Sequence, residues 1–86
     1  MTVVYKLVGY DRKTERATVK IDIPPKHVNF AKEVARIAAE DDSMADYPLD
    51  RDQARDIAGV LGKPIDADSY DYFLEPYVQG AHRRMA

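Results

Sequence analysis

Cysteine is absent from these 86 residues, and histidine and serine occur twice each. Without thiols there are no disulfide staples, no thiolate zinc sites and no cysteine nucleophile. His27, His82, Ser43 and Ser69 form no recognisable Ser-His-Asp arrangement, and the four glycines make no phosphate-cradling loop. No apolar run approaches the roughly 18 residues needed to span a bilayer. The opening Met1-Thr2-Val3-Val4-Tyr5-Lys6 lacks the basic-then-apolar pattern of a signal peptide. Acidic pairs such as Asp66 and Asp68 look exposed, whereas catalytic carboxylates need surroundings that separate their pKa values. A calcium loop begun at Asp41 would put Asp46 where glycine is needed and Asp52 where a bidentate Glu is needed. These absences predict a non-enzymatic cytoplasmic protein with no membrane segment, no cofactor and no metal, held by packing alone.

What is present fits one domain over residues 1–86. Hydrophobic residues make up 45% and charged residues 33%, and two domains would each be too small to bury a core. The net charge of −2 conceals a segregation. Residues 1–39 hold eight basic side chains against four acidic ones, whereas residues 40–75 hold eleven acidic against three basic. Such asymmetry bears on partners and solubility and not on fold.

Residues 3–10 and 16–23 read as two antiparallel strands. Ala17, Val19, Ile21 and Ile23 alternate with Arg16, Thr18, Lys20 and Asp22, the period of a half-buried strand. Matching apolar faces requires a loop of odd length. A loop of Asp11–Glu15, which sets Lys6 opposite Lys20, is preferred to the glycine-free turn Asp11–Lys13. Val4, Val8 and Tyr10 leave the outer face of the first strand unusually apolar. Either part of the first helix or the tail covers that face, or the first strand pairs with its copy in a second chain; the expectation is a homodimer with a four-stranded sheet.

Three helices are expected to follow, giving an α+β fold of order β-β-α-α-α. The first covers about 25–40, opened by Pro25 and carrying Phe30, Val34 and Ile37 at helical spacing, with Arg36 and Glu40 as a surface pair. It gives out in Glu40-Asp41-Asp42-Ser43. The second covers about 51–61, with Asp50 and Gln53 as a capping box, Ala54, Ile57, Ala58 and Leu61 as its buried stripe, and Gly62 and Pro64 closing it. The third covers about 67–78, with Tyr70, Phe73, Leu74 and Tyr77 on one face, and residues 79–86 form a frayed tail. Residues 54–74 then imitate a helix-turn-helix, but the second helix would present Asp66, Asp68, Asp71 and Glu75 to phosphates.

Two surfaces remain. In the helical reading Tyr72 lies off the buried face and is exposed. With Asp46, Tyr47, Asp50, Asp52, Asp71 and Glu75 it makes an acidic-aromatic surface for a basic protein partner. In size, acidity and lack of catalytic residues the chain looks like small bacterial binding proteins, immunity proteins that block toxins among them, and adaptors, though no motif carries the likeness. The alternative is nucleic-acid binding by the hairpin, through Lys6, Tyr10, Arg12, Lys13, Arg16 and Lys20, where basic groups flank a stacking ring.

Overall fold

The computed structural model describes residues 2–37 and 45–79. The acidic run at 40–43, the last residues of the expected first helix, and the tail at 80–86 with His82 lie outside them. The elements are β1 (Thr2–Asp11), β2 (Ala17–Ile23), α1 (Pro25–Val34), β3 (Tyr47–Leu49), α2 (Arg51–Leu61) and β4 (Tyr70–Gln79). The strands form one antiparallel sheet in the order β2-β1-β4-β3.

This corrects the expected β-β-α-α-α order. The segment expected as a third helix at about 67–78 is instead β4, the longest partner of β1, paired from Thr2 opposite Gln79 to Asp11 opposite Tyr70. The physical reason lies in β1. A strand apolar on both faces belongs in the middle of a sheet, and β4 supplies its second neighbour from the same chain. With β2 on one side and β4 on the other, β1 has no free edge, and the four-stranded sheet expected from two copies is built within one chain. The helix-turn-helix likeness goes with the third helix. Asp66 starts a turn instead: its carboxylate accepts from the N–H groups of Asp68 (3.2 Å) and Ser69 (3.3 Å). The Ser69 hydroxyl, first among its partners, holds that carboxyl below its ordinary value.

Pro76 sits in β4 opposite Tyr5, beyond Leu74, where β3 has already ended. Its missing N–H therefore falls on an edge. The hairpin register also differs from the expected one. Lys6 faces Asp22 and Val8 faces Lys20, with a bulge between Gly9 and Tyr10. Lys6 then pairs with a carboxylate at 3.6 Å rather than meeting a lysine.

α1 ends at Val34, short of the expected boundary, because Arg36 takes a left-handed φ of 63°. The N–H of Ile37 reaches the Lys32 carbonyl and that of Arg36 the Glu33 carbonyl, a Schellman stop built without glycine. Ile37 is buried just past this stop, whereas Phe30 faces outward and Ala31 inward. α2 ends with the same pair of bonds, at Gly62 (φ 67°). Its N-terminus carries the reciprocal Asp50–Gln53 bonds, both 2.8 Å. The Gln53 amide also donates to the Val34 carbonyl at 3.0 Å, tying the start of α2 to the end of α1.

Both helices cover one face of the sheet. Tyr5, Leu7, Ile23, Tyr72 and Leu74 meet Ala31, Ala54, Ile57 and Ala58 there. The other face carries Val4, Lys6, Val8 and Tyr10 of β1 beside Asp71, Phe73, Glu75 and Tyr77 of β4.

Candidate functional site

Successive residues of a strand point to opposite faces, so the pairing of β1 with β4 decides which side chains gather on the helix-free face, the one that neither described helix covers. Glu75 stands opposite Lys6, with Tyr77 two residues along β4 and Tyr10 four along β1. The Glu75 carboxylate is buried, yet it takes a hydrogen bond on each oxygen: Tyr10 donates at 2.6 Å and Tyr77 at 2.8 Å. Tyr10 meets Phe73 edge to face at 5.3 Å, and the Lys6 ammonium lies 5.0 Å over the Tyr77 ring while pairing with Asp22. The ion pairs of the described residues do not include Glu75. Among those residues its charge is therefore met by neutral hydroxyls rather than by a paired cation.

That charge is felt nearby. The hydrogen bond to Glu75, then burial and the proximity of its charge, push the Tyr10 hydroxyl from 10.0 up to about 12. Tyr77 also rises to about 12, first through burial and then through its bond to Glu75. The Asp46 carboxyl is raised by partial burial and by Glu75. An ultraviolet absorbance titration should show a late step near pH 12 accounting for two tyrosines. Glu75→Gln should lower the Tyr10 ionisation more than that of Tyr77, because the Glu75 bond is the larger cause only for Tyr10. Tyrosine ionises near 10 in an unfolded chain, so between about 10 and 12 the folded state holds protons that the unfolded state has lost. The stability from these two groups is intact below about pH 10 and disappears as pH rises through about 12. A midpoint unchanged across that window would refute the coupling.

Beside the cluster lies a depression of about 340 Å³, walled by Tyr10 and Phe73 and lined by Asp11, Glu15, Asp46, Asp71, Glu75 and Arg12. Five carboxylates thus meet one guanidinium, which is already held by Asp71 at 3.0 Å.

The residues expected to share one acidic-aromatic surface are divided by the sheet. Asp46, Asp71 and Glu75 come together around this depression. Tyr47 and Tyr72 turn to the helix side, where Tyr72 is 4% exposed rather than free, because strand alternation puts it opposite Gly9 in the core. Asp50 is occupied capping α2, and Asp52 pairs with Arg55 at 3.5 Å in its first turns. Of the residues proposed for nucleic acid, Lys6, Tyr10 and Lys20 share the helix-free face, but Tyr10 and Arg12 are bonded to Glu75 and Asp71. Lys13 and Arg16 are exposed beside the hairpin turn. Phe73 and Tyr77 complete the site, although a helical reading assigns both to the core. The alternation Asp71, Phe73, Glu75, Tyr77 is the signal that marks them. Among the described residues no group of three metal-ligating side chains is assembled, and no helix is long and apolar enough to cross a membrane.

A family model described as a domain of unknown function (DUF7683) matches residues 4–75, from β1 into β4. No curated protein and no solved structure matches the chain.

Proposed function

The chain belongs to the DUF7683 family of domains of unknown function, so we propose its role from the site: a non-enzymatic module that binds a basic protein partner. The contact is the helix-free face around Glu75, with Asp46 and Asp71 at its rim, Tyr10 and Phe73 as its walls, and Tyr77 holding the Glu75 carboxylate from the side. The observation that carries this is the Glu75 carboxylate, buried and bonded by two tyrosine hydroxyls, facing a depression with a surplus of carboxylates. An arginine or lysine side chain entering there gains charge attraction and the faces of aromatic rings together. Tyrosine and phenylalanine add contact area at little conformational cost. The same carboxylates repel a phosphate backbone, which favours protein over nucleic acid.

The test is an anisotropy titration with a labelled arginine-rich peptide, an uncharged peptide of equal length, and single- and double-stranded oligonucleotides. The arginine-rich peptide alone should bind, and raising salt from low to physiological strength should weaken it about tenfold or more. Asp46→Asn with Asp71→Asn, both at exposed residues, should weaken it further at low salt. Equal binding of the uncharged peptide, or tight binding of the oligonucleotides, would reject this role.

A further inference from the structure

The sheet has two outer strands, and they are protected unequally. β3 is three residues long with Pro48 at its centre, and short strands and proline both blunt an edge. β2 is seven residues long with no proline, and no described strand lies beyond it. Its guards are Lys20 and Asp22, both exposed on the helix-free face. These carry opposite charges two positions apart, and such a pair repels most intruders but not its own copy. An antiparallel strand related by a twofold axis through Ile21 sets Lys20 opposite the partner's Asp22, and Asp22 opposite the partner's Lys20. On the helix side the same register brings Ile21 against its own copy and Val19 against the partner's Ile23. Val19 and Ile21 are only half-buried within one chain, so this contact covers apolar surface that the single chain leaves wet.

We propose that β2 pairs with β2 of a second copy in this register, joining two four-stranded sheets into one of eight strands. The interaction is one strand edge, smaller than the roughly 1,000 Å² of a stable interface, so the dimer is weak and reversible. It uses a different surface from the depression beside Glu75 and stands whether or not that depression binds a basic partner.

Sedimentation or light scattering over about 10–500 µM, a range chosen to reach the weak association of a sub-standard interface, should show the molar mass rising from one chain toward two. Lys20→Asp sets carboxylate against carboxylate at both pairs, and Asp22→Lys sets ammonium against ammonium. Each alone should weaken association about tenfold or more, since directly opposed like charges destabilise a strand pair. In a mixture of the two variants, one edge carries carboxylates at both positions and the other carries ammonium groups at both. Every cross-strand pair between unlike chains is then attractive, so the mixture should regain the two-chain mass. Lys20→Gln, which removes attraction without adding repulsion, should have the smaller effect, and circular dichroism checks that each variant is folded. A wild-type mass of one chain at the highest concentration overturns the proposal. So does a dimer indifferent to the reversals, or a mixture that stays monomeric.

Discussion

Replacing Tyr72 by alanine should cost about 3–5 kcal/mol of folding stability, the range for emptying a large aromatic site in a core. The ring is 4% exposed, belongs to the cluster with Leu7, Ile57 and Leu74, and lies over Gly9 of the neighbouring strand. Its hydroxyl accepts a hydrogen bond at 3.1 Å from the Asp66 N–H, which pins the turn before β4. Tyr72→Phe keeps the ring and loses that bond, so its expected cost is about 1 kcal/mol. Phe73, half-buried on the other face, should cost less than Tyr72 on truncation. Urea denaturation of the three variants reads this order directly. A helix over 67–78 demands the reverse order, with Tyr72 near zero and Phe73 largest. That outcome would refute the assignment of β4.

The second large effect lies on the opposite side of the same contact. A Cβ at Gly9 would stand 2.9 Å from Tyr72 Cε1 and 3.2 Å from Val19 Cβ. The Tyr72 ring is fixed by the core and the Gly9 backbone by strands on both sides, so neither can give freely. Gly9→Ala should therefore destabilise by about 1–3 kcal/mol, as overpacking does, although alanine is otherwise the better strand residue. In a Tyr72→Ala background the nearest obstacle is gone and only Val19 remains close. The cost of Gly9→Ala should fall there by at least half, a coupling of the size found between touching residues. Equal costs in the two backgrounds would mean that glycine is kept at position 9 for its backbone and not for the ring.

How much of this is legible in the sequence depends on whether a local signal exists. The second helix is fully marked, since Asp50, Gln53, Gly62 and Pro64 each name a position in it. The end of the first is not marked. It uses the Schellman bonds that close the second, but places Arg36 where Gly62 stands, and arginine carries no stop signal. The last strand misleads for a different reason. Tyr70, Phe73, Leu74 and Tyr77 satisfy a helical repeat, while Asp71, Phe73, Glu75 and Tyr77 satisfy a strand repeat, and the same segment contains both. Pro76 resembles a helix stop, although it also suits the end of a strand without an outer neighbour. The deciding clue lies elsewhere in the chain. Val4, Val8 and Tyr10 ask for a second partner beside β1, and the sequence points to another molecule for it. That partner lies 65 positions away in the same chain, where Glu75 bonds Tyr10.

The candidate site is legible in parts and not as a place. Asp46, Asp71 and Glu75 stand out by charge and Tyr10 by its basic neighbours, yet they fall into rival surfaces. Only the β1–β4 register shows that the tyrosine of one and the glutamate of the other are hydrogen-bonded. Charge blocks along a chain do not survive as patches when a strand from each block lies side by side.

The position of β4 at the centre of the sheet also orders events in time. Residues 12–79 follow β1 out of the ribosome, which takes roughly 3 to 14 seconds at ordinary rates of synthesis. The hairpin of β1 and β2 and the pair of helices rest on nearby contacts and can form within that interval. The inner edge of β1 stays unpaired until β4 arrives, and contacts so distant in sequence form slowly. A newborn chain therefore passes through a stage in which its most apolar strand offers one open side to any neighbouring β-strand. Crowded polysomes, where identical nascent chains lie close together, are where this fold is most exposed to pairing with the wrong molecule.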